Sequence, residues 1–168
     1  MQYLTPSTFD EASALALGAT GATRFLAGGT DVLVQMHAGG ATPDVLIDLK
    51  RIPGVYDITR TDDGWSIGVA VPGAVLCEHA ALSAEWPGVV EAIDLIGSTQ
   101  VQGRATPVGN LMNASPAADS VPALIAAGAE VSVLGADGSS RRMAVEDVPT
   151  GPGRTALAPG DVVTELHL

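Results

Sequence analysis

Apolar positions along the first fifty residues switch between two periods. Gln2 to Leu4 is short and strand-like. Pro6-Ser7 then opens a stretch in which Phe9, Ala12, Leu15 and Ala16 recur at helical spacing as far as Gly18. Arg24 to Ala27 predicts a second strand, and Gly28-Gly29-Thr30 leads into a second helix from Asp31, with Val32, Leu33 and Met36 on one face, ending at Gly39-Gly40. Val45 to Leu49, rich in aliphatic side chains, predicts a third strand. Strands and helices alternating in this order imply a small parallel sheet with right-handed crossovers.

Beyond Ile52 the pattern changes. Val55 to Arg60 and Trp65 to Val69 flank Thr61-Asp62-Asp63-Gly64 and predict a hairpin. Helical stretches follow over Ala74 to Leu82 and Trp86 to Ile96. Gly97 to Pro116 is then rich in turn-formers and poor in periodicity, and irregular chain of that length inside a domain is more often functional than accidental. A helix over Asp119 to Ala127 precedes a second hairpin, Glu130 to Leu134 and Arg141 to Val145, turning at Asp137-Gly138. Val162 to Leu168 alternates like a last strand. The expected organisation is a parallel α/β lobe over residues 1–52 and an antiparallel α+β lobe over 53–168.

Composition narrows the function classes. Eight Lys and Arg against nineteen Asp and Glu give a formal net charge of −11 over 168 residues, which argues against nucleic acid and anionic membranes as partners, since both demand a basic face. Charged residues make up only 16% of the chain and hydrophobic ones 46%, too apolar for disorder and short of solubilising charge for a free monomer. With two Phe, two Trp and two Tyr, the core must be mostly Ala, Val, Leu and Ile. The single cysteine, Cys77, provides no disulfide, iron–sulfur cluster or cysteine zinc site within the chain, and is expected to pack as a small hydrophobe. The start of the chain has neither a basic nor an apolar leader region, and no apolar run approaches the ~18 residues of a membrane span, so a soluble cytoplasmic protein is expected.

Two segments carry candidate chemistry. Leu26-Ala27-Gly28-Gly29-Thr30-Asp31 joins a predicted strand to a predicted helix. Its glycines allow a tight turn and close backbone approach, and free N–H groups at the helix start suit a pyrophosphate. Taken alone, this segment is more simply read as an ordinary strand-to-helix turn with Thr30 as N-cap. The second segment, Ala105-Thr106-Pro107-Val108-Gly109-Asn110-Leu111-Met112-Asn113-Ala114-Ser115-Pro116 with Asp119 beyond, gathers neutral donors suited to the oxygens of a dinucleotide. It could equally be a polar loop capping the next helix. Gly151-Pro152-Gly153-Arg154-Thr155-Ala156 has the spacing of a dinucleotide fingerprint but lacks the flanking strand and helix, and reads as a loop. Lys50, the only lysine, follows no glycine loop of the Walker kind. His37, His79 and His167 are isolated and read as structural, and no metal site or catalytic acid/base pair is expected.

Taken together and in order, these segments resemble the FAD-binding (medium) subunits of the molybdenum hydroxylases, the group that contains xanthine dehydrogenases and carbon monoxide dehydrogenases. Ala27-Gly28-Gly29-Thr30-Asp31 matches the first pyrophosphate loop of that family. Ala105-Thr106-x-x-Gly109-Asn110-x-x-Asn113-Ala114-Ser115-Pro116-x-x-Asp119 matches its second. Val121-Pro122-Ala123-Leu124, Ala129-Glu130-Val131, Arg142, Gly151 and Leu157-x-Pro159-Gly160 extend the likeness over nearly the whole chain.

The resemblance implies an α+β fold, the two-lobed FAD-binding domain of the vanillyl-alcohol-oxidase/PCMH type, and a role in electron transfer. FAD would receive electrons from an iron–sulfur subunit and pass them to an external acceptor, while a molybdopterin subunit oxidises the substrate. By residue, Leu26, Ala27, Gly28, Gly29, Thr30, Asp31 and Val32 would surround the pyrophosphate. Ala105, Thr106, Gly109, Asn110 and Asn113 would form the second side of the cradle, Ser115 and Asp119 would contact ribityl or ribose hydroxyls, and Val163 would pack near the flavin ring. A flavin-free scaffold of such a complex and a stand-alone flavin oxidase are the rival implications. Where the family has two glycines this chain has Val108-Gly109, preceded by Pro107, which places the Val108 side chain near an expected phosphate and removes the N–H of Pro107. FAD binding is expected to survive, because the first loop and Asn110 are intact. Family members also continue into a C-terminal flavoprotein domain, expected to be absent here because the chain stops just after the strand leading to it.

Overall fold

The computed structural model describes residues 1–40 and 42–168. Three parallel strands open the chain: β1 (Gln2–Leu4), β2 (Thr23–Leu26) and β3 (Val45–Asp48), in the order β1-β3-β2, with Gln2 and Thr23 both in register with Val45. Between them run α1 (Phe9–Gly18) and α2 (Val32–His37). The start of α1 is set by a reciprocal cap: Thr8 accepts from the Glu11 N–H at 3.1 Å, and the Glu11 carboxylate accepts from the Ser7 N–H and hydroxyl. The second helix begins one residue later than expected, with Asp31 at the N-cap and no side-chain cap, so Thr30 is not the capping residue.

The rest of the chain builds an antiparallel sheet of five strands, ordered β4-β5-β10-β6-β7. These are β4 (Ile58–Thr61), β5 (Gly64–Gly68), β6 (Glu130–Leu134), β7 (Ser140–Ala144) and the final β10 (Val162–His167). Between its two hairpins lie α3 (Gly73–Glu78), α4 (Ala80–Glu85), α5 (Pro87–Asp94), α6 (Thr99–Gln102), α7 (Pro107–Met112) and α8 (Val121–Ala126). The single helix expected over Ala74 to Leu82 is two, because His79 is extended and its ring Nδ1 accepts from the Leu82 N–H at 3.2 Å, restarting the helix. Gly97 to Pro116, expected to be irregular, contains two short helices instead. Thr106 supplies the missing periodicity cue for α7 by accepting from the Gly109 N–H at 2.9 Å, with Pro107 at the first helical position, where its absent N–H is no loss. The Gly151–Arg154 loop is edged by a two-stranded ribbon, β8 (Pro149–Gly151) and β9 (Arg154–Thr155).

One hydrophobic cluster joins the two sheets, and α1 packs on strands of both. As the composition implied, its largest fully buried side chains are aliphatic: Ile47, Ile67, Leu76, Leu82, Ile93, Leu111, Leu124 and Leu166. Cys77 is half-buried beside this core. Burial, helped by Asp94 and Glu78, pushes its thiol up, which leaves it a poor nucleophile. His167 is buried with Nε2 at 2.7 Å from the Ser132 hydroxyl. Among the described residues no helix is long and apolar enough to cross a membrane.

Candidate functional site

A cleft of about 350 Å³ opens between the end of the parallel sheet and the α6–α7 segment. Its wall brings together Ala27, Gly28, Gly29, Thr30, Asp31 and Val32 from the first loop with Ala105, Thr106, Gly109, Asn110 and Asn113 from the second. Seventy-odd residues of sequence separate these groups. Val69, Ile96, Val162 and Val163 add an apolar floor to the same cleft.

The first loop offers backbone. The N–H groups of Gly28, Gly29, Thr30 and Asp31 make no hydrogen bond to any described residue. Gly29 has φ +82°, a conformation that disfavours any side chain. Gly28 is required for another reason: a Cβ there would run into the main-chain carbonyl of Arg104. That close approach is what lets the two loops share one cleft. Among the described residues Asp31 has no ion-pair or hydrogen-bond partner for its carboxylate, and burial raises its pKa above the usual carboxylate range.

The second loop offers side chains. Asn113 accepts from Gln35 Nε2 at 2.8 Å, a bridge from α7 to α2 that closes one end of the cleft. Asn110 Oδ1 accepts from the Ser120 hydroxyl at 2.7 Å and its N–H at 3.3 Å, so this asparagine also fastens the start of α8. With both carbonyl oxygens engaged, the Asn110 and Asn113 side chains retain their NH₂ groups as donors. The Thr106 hydroxyl caps α7, and the N–H groups of Thr106 and Val108 have no partner. Val108 lines the same cleft but is 3% exposed, so little of its side chain is open to solvent there.

Three expected residues lie elsewhere. Leu26 is buried beneath the loop, where its side chain would meet a Cβ placed on Gly29. Its neighbours Arg24, Phe25 and Ala27 reach the cleft, whereas Leu26 does not. Ser115 and Asp119 are outside the wall: Ser115 accepts from the Ala117 N–H at 3.2 Å, and Asp119 is exposed.

Sequence reasoning also passed over residues that matter. Gly153 and Thr155, in the segment set aside as a loop, form a third side of the cleft, and the Gly153 N–H donates to the Ala114 carbonyl at 2.9 Å. Ala114 takes a left-handed φ of 47° to present that carbonyl, the only non-glycine among the described residues to do so. Asp161 lines the cleft and is 2.5 Å from Arg141. Lys50 reaches across from the short 3-10 turn that follows β3 (Leu49–Arg51), its Nζ 3.0 Å from the Ala27 carbonyl and 2.6 Å from Asp48 Oδ1. Burial pushes the Asp48 carboxyl up, but hydrogen bonds from Lys50 and Tyr3 outweigh it and hold the group below the usual range. The glycine spacing of residues 151–156 was the visible signal for Gly153 and Thr155, whereas Asp161 and Lys50 act through long-range contacts.

The donor set suits a dinucleotide: unpartnered amides and asparagine NH₂ groups for phosphate and hydroxyl oxygens, beside an aliphatic surface for a flat ring. The comparisons agree with that chemistry. The chain resembles the carbon monoxide dehydrogenase medium chain of Afipia carboxidovorans, with 30% identity over 167 residues covering 99% of this chain and 57% of the relative. It is 28% identical to the xanthine dehydrogenase FAD-binding subunit of Escherichia coli O157:H7 over 86% of its own length and 49% of the relative. The chain thus spans about half to three-fifths of the curated relatives it matches. Among solved structures, a reconstituted CO dehydrogenase from Oligotropha carboxidovorans superposes with a TM-score of 0.95 at 28% identity, covering all of this chain and 58% of that one. UDP-N-acetylenolpyruvylglucosamine reductase from Thermus caldophilus shares the fold alone, at 22% identity and a TM-score of 0.51. The match to the family described as the FAD binding domain in molybdopterin dehydrogenase runs over residues 1–168, and the chain belongs to that family.

Proposed function

We propose that this protein is the FAD-carrying electron-transfer component of a molybdenum hydroxylase, taking electrons from iron–sulfur clusters in a partner subunit and passing them to an external acceptor. Oxidation of the substrate then takes place on a separate molybdopterin subunit. The observation that carries this reading is the single cleft in which unpartnered loop amides and asparagine side chains face one another beside Val69, Ile96, Val162 and Val163. We assign the pyrophosphate to Gly28, Gly29, Thr30 and Asp31 on one side and to Thr106, Gly109, Asn110 and Asn113 on the other, with Val163 near the flavin ring. Ala27, Val32 and Ala105 shape the wall between them, and Leu26 supports it from below. Ser115 and Asp119 form no part of this set. The lobes divide near residue 52, so the cleft lies at their junction.

When bound, FAD supplies the redox chemistry, and the protein supplies binding, orientation and electrostatics. The amides and NH₂ groups hold phosphate and hydroxyl oxygens, the aliphatic floor keeps water from one side of the ring, and Asp161, fixed by Arg141, borders the cleft without a free charge. Leu33 and Val34 on α2 stand 46% and 66% exposed on a helix with no buried residue, which fits a surface covered by a partner subunit. A cytoplasmic location follows from this reading.

The test is spectroscopic. Purified protein incubated with excess FAD and then desalted is expected to retain flavin absorbance in a one-to-one ratio. Colourless protein after that treatment overturns the proposal and favours a flavin-free scaffold.

A further inference from the structure

The cleft must attract a pyrophosphate with almost no positive charge on its own wall. Arg24 is the one cation lining it among the described residues, and it is opposed by the unpaired Asp31; the other lining carboxylate, Asp161, is already matched by Arg141. Two cations stand behind the first loop instead. Lys50, whose side chain is 25% exposed, donates to the Ala27 carbonyl at 3.0 Å, and Arg104 Nε approaches the Gly28 carbonyl at 3.4 Å. Neither Lys50 nor Arg104 lines the cleft.

The geometry of the peptide group gives these contacts a consequence. In a trans peptide the C=O and the following N–H point in opposite directions across one delocalised plane, and every described peptide bond in the chain is trans. A cation on the Ala27 oxygen therefore draws electron density through the Ala27–Gly28 unit away from the Gly28 N–H, which is unpartnered and faces away from the ammonium. Hydrogen bonds in series polarise one another in this way, and a charged donor strengthens the effect.

We propose that Lys50 is a positioning residue for FAD, its ammonium fixing the first glycine loop from behind and polarising the Ala27–Gly28 peptide so that the Gly28 N–H binds the pyrophosphate more strongly. Arg104 does the same, at longer range, for the Gly28–Gly29 peptide and the Gly29 N–H. Asp48 aims the ammonium: it holds Nζ at 2.6 Å, is itself bonded by the Tyr3 hydroxyl, and pairs in register with Leu26 at the root of the loop. This inference rests on the FAD reading of the cleft.

The rival explanation is that Lys50 merely neutralises the buried Asp48. Equilibrium FAD titrations of the wild-type protein, Lys50→Met, Lys50→Arg and the double variant Asp48→Asn/Lys50→Met separate the two, with thermal unfolding of the FAD-free proteins as the control for folding. The expected result is about tenfold weaker FAD binding in Lys50→Met, a loss of about threefold or less in Lys50→Arg, and binding in the double variant as weak as in Lys50→Met. Restoration of wild-type affinity in the double variant overturns the proposal, as does unchanged affinity in Lys50→Met. If Lys50→Met does not fold, the double variant, which carries no uncompensated carboxylate, decides alone. Failure of the wild-type protein to bind FAD is a different outcome and rejects the functional reading itself.

Discussion

The two loops that face each other across the cleft present hydrogen-bond donors by opposite means. Residues 27–31 lead into α2, whose Leu33 and Gln35 N–H groups bond the Gly29 and Asp31 carbonyls, and offer main-chain N–H groups whose orientation is fixed from outside by Lys50 and Arg104. Residues 106–113 are mostly one short helix with an internal cap from Thr106, and what they offer is largely side-chain amide, held by Ser120 and Gln35. The first loop therefore depends on backbone conformation and the close approach of another main chain. The second depends on individual side-chain hydrogen bonds. Damage to the first should be larger and less local.

The same substitution made on each side exposes this difference most sharply. Gly28→Ala places a methyl group against the Arg104 carbonyl, a main-chain atom that cannot swing aside, and forces the loops apart. A cost of about 3 kcal/mol in urea unfolding and loss of measurable FAD binding are expected. Gly109→Ala meets only the Thr106 hydroxyl, at 2.9 Å, and gains helix propensity, so its stability should change by less than about 1 kcal/mol. Equal effects at the two positions would show that the loops are not built differently.

A smaller effect measures how far the loops act as one. The Gln35–Asn113 bond joins the helix after the first loop to the helix of the second. A double-mutant cycle with Gln35→Leu and Asn113→Leu is expected to give a coupling of about 1 kcal/mol in unfolding free energy. A coupling near zero would mean that the two sides of the cleft are held only by the core beneath them.

How much of this was legible in the sequence follows the same division. Strands and most helices were marked by local periodicity, and β3 and β10 fall where the aliphatic runs of Val45–Leu49 and Val162–Leu168 put them. The glycines of the first loop and the asparagines of the second were legible as donor-rich segments because their chemistry is carried by residue type. The break at His79 and the helix at Pro107 were not, since each is decided by one side chain bonding to a nearby N–H. Lys50 was invisible as a site residue because its function depends on a carbonyl twenty-three positions away in the chain, brought near by parallel pairing of β2 and β3. Gly153 and Thr155 were set aside for lack of a flanking strand and helix, yet a short ribbon brings them to the cleft. Leu26 shows the converse: it belongs to the motif in sequence, and its side chain packs in the core beneath Gly29.

Asp31 is the point at which the first loop works against its own purpose, and it yields the smallest expected effect. Its carboxylate lines the cleft without a partner, and burial alone raises its pKa. The folded state thus holds this proton more tightly than the unfolded chain does. The group's unfavourable contribution is absent below the unfolded pKa, grows as pH rises towards the folded pKa, and is complete above it. A pyrophosphate placed on the neighbouring amides adds like-charge repulsion in the same pH range. Asp31→Asn keeps the size and removes the charge, so it should bind FAD a few-fold more tightly at neutral pH, by roughly twofold to fivefold. It should also flatten the decline in FAD affinity that the wild-type protein shows as pH rises through the Asp31 titration. FAD titrations of both proteins across the acidic range check this. Weaker binding by Asp31→Asn at neutral pH would mean that the carboxylate accepts a hydrogen bond from the bound cofactor, making a side chain, and not backbone alone, part of what the first loop offers.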